Sequence, residues 1–389
     1  MIARGQTPLR DFRRGERQGI EISRGEGVCW RSGGSPAEAT TLQLHVTSEL
    51  TQNLYYTQSA ANGVTIDWGD GSTAETVSDL SATATHTYAA AGDYTVTMTA
   101  GSGVTWAPGA SIGGTQYTLV GVVPNKSQTY PALTAFVFGE GCELTNVSAF
   151  YGCTGLTEIA IPDGTVTIPQ NAFKGCTNLD KITLPASLET VGEYGLPFGV
   201  SYYISDFAAF CGIDWTVSVE FALDDACRLY LNGNEVVGNI TIPGSVSRIG
   251  TGALHGLSRI TGITMPGTVT EIGDFSFCSL SGLSDITIPS TVQSVGQSLF
   301  YSALALEHLE IGAAEIGYEL FSGTINSNLV IWLRNTVETI ASDLIYAGTP
   351  HTIYCEDSEK QAGWSNAFAQ GNSASVQHTV VYNQMTRPW

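Results

Sequence analysis

Residues 265 to 289 read MPGTVTEIGDFSFCSLSGLSDITIP, and the spacing of their landmarks recurs along the chain. Pro162 to Pro185, Pro243 to Pro266 and Pro266 to Pro289 are each 23 residues apart, and Gly312 falls 23 residues beyond Pro289. A fixed period of this length marks a stack of similar supersecondary units. In Leu283-Ser284-Asp285-Ile286-Thr287-Ile288, alternation makes Leu283, Ile286 and Ile288 the buried set and points Thr287 outward. Pro289 has no amide hydrogen to donate and ends the strand. Val292, Val295 and Phe300 return to the same core, and Gly296 permits the tight path between them. One unit cannot hide this face alone, so successive units should share an apolar column with rungs about 4.8 Å apart.

The full unit reads IP-x-x-V-x-x-IG-x-x-AF-x-x-(small or apolar)-x-x-L-x-x-I-x-IP, and it resembles the BspA-type leucine-rich repeat. The resemblance runs from about Leu133 to about Tyr382 and implies a solenoid over 133–382 with a C-terminal cap, followed by a tail at 383–389. Between Pro185 and Pro243 the period breaks, with a gap of 58 residues. There Ile204 to Cys211 and Leu229 to Glu235 resemble the extended form of the same repeat. Ile353-Tyr354-Cys355-Glu356 with Gly363-Trp364 resembles a terminal unit. Cys153 and Cys176 take the third place after Phe150 and Phe173, where later units hold Leu257, Leu280 and Ala303. Exchange with apolar residues reads them as packing groups first, although adjacent rungs bring two such thiols within disulfide range.

Upstream, LQLHV, VTIDW and YTVTM within residues 41–100 show the two-residue period of half-buried strands. Asp67-Trp68-Gly69-Asp70-Gly71-Ser72, then His86-Thr87-Tyr88 and Gly92-Asp93-Tyr94-Thr95-Val96, resemble a PKD domain. That resemblance implies an immunoglobulin-like β-sandwich, which assigns no chemistry by itself. Tyr88 and Tyr94 are expected to give their hydroxyls to backbone partners. Asp67, Asp70 or Asp93 offer oxygen ligands for calcium, but carboxylates in turns commonly serve the turn itself. No other cofactor is indicated. Residues 32–40 read as a linker and 101–132 as a bridge.

The expected fold is thus mainly β: a small N-terminal ribbon over 1–31, a PKD-like sandwich, and a leucine-rich-repeat solenoid. The ribbon echoes Arg14-Gly15-Glu16 in Arg24-Gly25-Glu26 and ends at Val28-Cys29-Trp30. It resembles the start of minor structural proteins of phages of Gram-positive bacteria, which implies a virion-attachment segment. Arg13, Arg14, Arg24 and Trp30 are its candidate docking residues toward other virion proteins. The same charges also read as an ordinary solvated ribbon.

Thirty-six acidic residues against sixteen basic give a formal net charge of -20, which disfavours a phosphate backbone as partner. Only four residues are Lys, so the surface is built from Ser, Thr, Asn, Gly and carboxylates, as on long-lived extracellular proteins. The start, MIARGQTPLRDFRRG, has no apolar h-region, and no window approaches the roughly 18 apolar residues of a membrane span. Neither export by a leader nor membrane insertion is expected.

Catalytic signals are absent. Gly109-Ala110-Ser111-Ile112-Gly113 fits the G-x-S-x-G pattern without its strand-to-helix setting, the six His have no metal-ligand spacing, and Asp224-Asp225 reads as a solvated turn. Recognition is what remains. The outward column runs Ala160, Thr183, Thr241, Thr264, Thr287, Glu310, Trp332, Tyr354, and its neighbour Glu158, Lys181, Asn239, Gly262, Asp285, His308, Val330, Thr352. A threonine ladder is ordinary filler for an exposed sheet. His308, Glu310, Trp332 and Tyr354 depart from it and are the candidate partner-binding residues, either open to a sugar ring or protein partner or covered by the cap near Trp364.

The sequence therefore predicts a non-enzymatic virion surface protein that adheres to a host-surface glycan or protein. A bacterial cell-surface adhesin is the alternative, and an accessory-module protein of a glycan-processing system the third. A homo-oligomer is usual for projecting virion parts, although no coiled-coil heptad is present.

Overall fold

The chain divides into a unit of Met1–Ser35 and a unit of Pro36–Trp389. A computed structural model describes residues 39–123, 129–197, 199–216, 227–317, 319–322, 326–341, 345–346, 351–359, 361–364 and 379–389, all in the second unit. The expected ribbon, with Arg13, Arg14, Arg24 and Trp30, lies outside the described residues, as do Asp224 and Asp225.

The N-terminal part of this unit holds two antiparallel sheets. In one, Thr40–Val46 lies between Leu133–Val137 and Gly92–Ala100, and Val64–Asp67 and Glu75–Thr76 follow outward. In the other, Thr51–Gln58 lies between Ser81–Thr87 and Trp106–Pro108. Strand alternation does what the sequence requires of it: Leu42, Leu44, Val46, Leu54, Tyr56, Val64 and Ile66 are buried and their neighbours face water. Two strands come from outside residues 41–100. Trp106–Pro108 belongs to the stretch read as a bridge, and Leu133–Val137 is the stretch read as the first solenoid strand. Each completes a sheet edge instead, and Trp106 bridges onward to Cys142, so sandwich and solenoid share one apolar core.

From Glu158 onward the 23-residue period becomes a parallel ladder. Glu158–Ala160, Lys181–Thr183, Ser201–Ile204 and Arg228–Leu231 stack in register, and Gly238–Thr241, Ile260–Thr264, Asp285–Ile288, His308–Ile311, Val330–Leu333, Thr352–Cys355 and Thr379–Val381 form a second run. Two-residue strands such as Glu271–Ile272 and Ser294–Val295 form a second, narrower ladder along the solenoid. Between the ladders runs a spine of rings: Phe150 stacks on Phe173 at 5.1 Å, and Phe277, Phe300 and Phe321 follow at 5.8 and 5.3 Å. A side chain at Gly296 would place its Cβ 2.4 Å from the Asp274 amide, so the turn onto the next rung is closed to anything larger. Among the described residues no helix is long and apolar enough to cross a membrane.

The long unit resolves into two further rungs and a hairpin. Leu231 and Asn234 pair across Asn232-Gly233, whose φ angles of 50° and 83° suit a two-residue turn with both central residues left-handed. This hairpin ends the first strand ladder, and the second begins at Gly238. Asp214 ties the rungs across the break: it accepts two hydrogen bonds from the Arg248 guanidinium at 2.8 and 3.0 Å and one from the Thr251 amide at 2.8 Å. Burial pushes this carboxyl up, but the bonds from Arg248 and Thr251 outweigh it and hold it below the usual carboxylate value.

Cys142, Cys153, Cys176, Cys211, Cys227, Cys278 and Cys355 are buried free thiols, and burial pushes Cys176 and Cys211 up to about 12. They are packing residues, as their exchange with Leu implies, and they stay protonated at neutral pH.

Two stability predictions follow from this architecture. Phe300→Ala removes a fully buried ring from the spine and should cost about 3 to 5 kcal/mol in denaturant unfolding, whereas Thr264→Ala on the exposed ladder should stay within about 0.5 kcal/mol. Because the Asp214 carboxyl is depressed in the folded state, its contribution is present above the ordinary carboxylate pKa and is lost as pH falls through the folded value. Urea midpoints measured from pH 7 down to pH 3 should therefore fall less steeply for Asp214→Asn than for the native chain.

Candidate functional site

Parallel register turns each outward position into a straight column. Thr241 faces Thr264, Thr287 faces Glu310, Glu310 faces Trp332, and Trp332 faces Tyr354, as the spacing predicts. The candidate residues are therefore brought to one place on the strand face, but not as an open patch. Glu310 and Trp332 are 6% and 4% exposed. Their cover is residues 383–389, the stretch read from sequence as a mere tail.

After Thr379–Val381 joins the ladder, Asn383 and Gln384 donate their amides to the Asp357 and Cys355 carbonyls, and the chain then crosses back over earlier rungs. Trp332 Nε1 donates to the Gln384 carbonyl at 3.2 Å. Arg387 donates through Nε to Glu310 at 2.8 Å and through a terminal nitrogen to Thr287 Oγ1 at 3.0 Å. The other Glu310 oxygen accepts from Arg334 at 2.8 Å, and Arg334 also reaches Glu356 at 2.8 Å while its guanidinium lies 4.7 Å from the Trp332 ring. One nearly buried carboxylate thus holds two guanidinium groups in place.

Trp389 completes the cluster. Its ring stacks on His308 at 4.8 Å and meets Trp332 edge-on at 6.3 Å, and His308 is bonded to Asp285 at 2.7 Å. Trp364, the cover anticipated from sequence, is fully buried in the turn Ala362–Trp364. Tyr354 stands one rung beyond Trp332, half-buried and in register with Val381.

The crossing segment ends at an open cleft of about 450 Å³ on the strand face. Asn239, Gly262, Thr264 and Thr287 contribute to its floor, and Arg387 and Trp389 to its wall. Gly262 makes the notch: it occupies a column position that Asn239 and Asp285 fill on either side with side chains.

Two further functional residues sit on rungs that the 23-residue count passes over. Tyr203 and Tyr230 are in register within the long unit and stack at 4.6 Å with their planes 5° apart. Lys181 lies 5.2 Å over Tyr203 and pairs with Glu158 at 3.0 Å. Asn232-Gly233 was the available signal, since a hairpin turn at that point fixes Tyr230 as a strand position.

The remaining candidates are turn and sheet residues. Asp67 and Asp70 accept the Gly69 and Ser72 amides within their own turn, and Asp93 pairs with His45 at 2.6 Å on an adjacent strand. Hydrogen bonds from Ser72 and His86 hold the Asp70 carboxyl well below the usual range. His86 also stacks on Trp68 at 5.0 Å, while Tyr88 and Tyr94 donate to the Trp68 and Ala90 carbonyls as expected. Ser111 is exposed on the strand Ala110–Ile112, paired with Thr115–Thr118 in a hairpin rather than set at a strand-to-helix elbow. Among the described residues, no group of three His, Cys, Asp or Glu is placed to hold a metal ion.

Residues 127–198 and 232–350, just under half of the chain, match the BspA type Leucine rich repeat region in six copies. A comparison with curated proteins gives no match. Among solved structures, a leucine-rich repeat protein from Eubacterium ventriosum is 19% identical, with 52% of this chain and 67% of that one covered and a TM-score of 0.33. A leucine rich cell surface protein from Faecalibacterium prausnitzii is 20% identical over 62% of this chain and 69% of that one, also with a TM-score of 0.33. The Pneumococcal vaccine antigen PcpA is 16% identical over 53% and 69%, with a TM-score of 0.32.

Glu310→Ala strands both guanidinium groups and loosens the crossing segment. It should lower unfolding stability by roughly 1 to 3 kcal/mol and shift tryptophan emission to the red as Trp332 and Trp389 meet water, measured by fluorescence during urea unfolding.

Proposed function

We propose, from the premise that residues 127–198 and 232–350 are BspA-type leucine-rich repeats, that this chain is a non-enzymatic, adhesin-like recognition protein of a bacterial cell surface. Its strand face is the surface that binds a host-surface glycan or protein. The observation that carries this reading is the cleft beside Trp389, where the departures from the threonine ladder converge on an indole and a fixed guanidinium instead of scattering. A solenoid supports such a role because stacking places side chains from many rungs at fixed spacing on one face. Composition supports exposure outside the cell, since the surface is rich in Thr, Ser and carboxylates and the whole chain has only four Lys. The virion reading drew on residues 1–31, which lie outside the described residues, so the surface adhesin is the better supported of the two.

Beads coated with the purified chain should adhere to mammalian epithelial monolayers above the level of albumin-coated beads. The pair Thr183→Glu and Thr264→Glu, which adds charge on the strand face without touching the core, should reduce adhesion at least fivefold with an unchanged circular dichroism melt. Equal adhesion by native and doubly substituted beads removes the strand face as the binding surface.

A further inference from the structure

The crossing segment and the cleft beside it are one construction, and its chemistry selects a kind of ligand. The charged groups lining the cleft are Asp285, His308 and Arg387. Each is already committed: Asp285 to His308 and Ser284, His308 to Asp285 and the Trp389 ring, and Arg387 to Glu310. A charged ligand would find no unspent counter-charge there, and separating one of these pairs to create one would forfeit charge-assisted hydrogen bonds. What the cleft offers is neutral hydrogen-bonding capacity: the Asn239 carboxamide and the hydroxyls of Thr261 and Thr264, beside an indole edge. Its volume of about 450 Å³ falls within the roughly 300 to 1,000 Å³ of small-molecule clefts.

We propose that this cleft is a binding site for a neutral saccharide, and that residues 384–389 are a structural part of it. The ligand presents hydroxyl groups to Asn239, Thr261 and Thr264, and the C–H face of a sugar ring to the Trp389 wall. Gly262 supplies the room. Glu310 acts as a positioning residue: it fixes Arg387, which carries the chain forward so that Trp389 reaches His308. The wall is preorganised before any ligand arrives, so little ordering cost is left for binding. This inference rests on the recognition role proposed above and narrows it to one ligand class and one end of the strand face.

The test uses the full chain, a chain ending at Tyr382, Arg387→Ala and Gly262→Gln. Each is applied to a printed array of neutral oligosaccharides, followed by saturation-transfer NMR with the best-bound sugar. The native chain should bind, Arg387→Ala and Gly262→Gln should each weaken binding at least tenfold, and removal of 383–389 should abolish it. Thermal melts accompany each variant, and the Gly262→Gln chain separates filling of the cleft from loss of the wall. Saccharide binding that is unchanged in all three variants overturns the inference. Tighter binding after removal of 383–389 also overturns it, because the segment would then obstruct the site. Bead adhesion to cells without array binding by the native chain discards the saccharide site while leaving the recognition role standing.

Discussion

Leu283, Ile286 and Ile288 have no cover within their own rung. The cover comes from the next one, where Leu309 and Ile311 stand in register with Ile286 and Ile288, and all five are buried. The same debt passes to Ile331 and Leu333 and then to Ile353 and Cys355. Everything on the outer face follows from this arrangement: because apolar positions must meet their counterparts, outward positions are forced into straight columns. The recognition surface is therefore a by-product of core register, and its side chains are positioned by residues they never touch.

The period of 23 made this column legible, since Pro243, Pro266 and Pro289 punctuate successive rungs and the alternation in 283–288 names its buried set without ambiguity. Its reach ended where spacing ceased to report register. Ser201–Ile204 and Arg228–Leu231 belong to the same ladder as Lys181–Thr183, but an intervening helix, Phe207–Cys211, stretches the interval and hides Tyr203 and Tyr230 from a count of residues. Leu133–Val137 has the apolar pattern of a solenoid strand and pairs instead with Thr40–Val46, because a strand's pattern records that one side is buried and not which sheet buries it. The crossing segment is the clearest case. Met385-Thr386-Arg387-Pro388-Trp389 has no periodicity to read, and its position is set by Glu310, 77 residues away in sequence.

Charge is distributed with the same economy. Lys181 pairs with Glu158, Arg248 with Glu271, Arg259 with Glu235 and Arg334 with Glu310, each spanning about one period. In a chain of net charge -20, carboxylates recur on neighbouring rungs, and the scarce cations are placed between them. Pairs of this exposure are worth little singly, roughly 0 to 1 kcal/mol. Glu310 differs because it is nearly buried and bonded to two guanidinium groups, which is why it organises a cluster where the other pairs only relieve repulsion.

The hairpin at Asn232-Gly233 interrupts this regularity, and the interruption has a mechanical meaning. A uniform ladder that starts to peel at one end has nothing to stop it, since every rung resembles the last. Here peeling that begins at Thr379–Val381 and runs backward meets, at Gly238, a change of hydrogen-bond partner and a separate clasp from Asp214 to Arg248. The break works as a firebreak: a molecule pulled from its C-terminal end can surrender the rungs that grip a ligand while those nearer the sandwich stay folded, ready to serve as the template on which the lost ones reassemble.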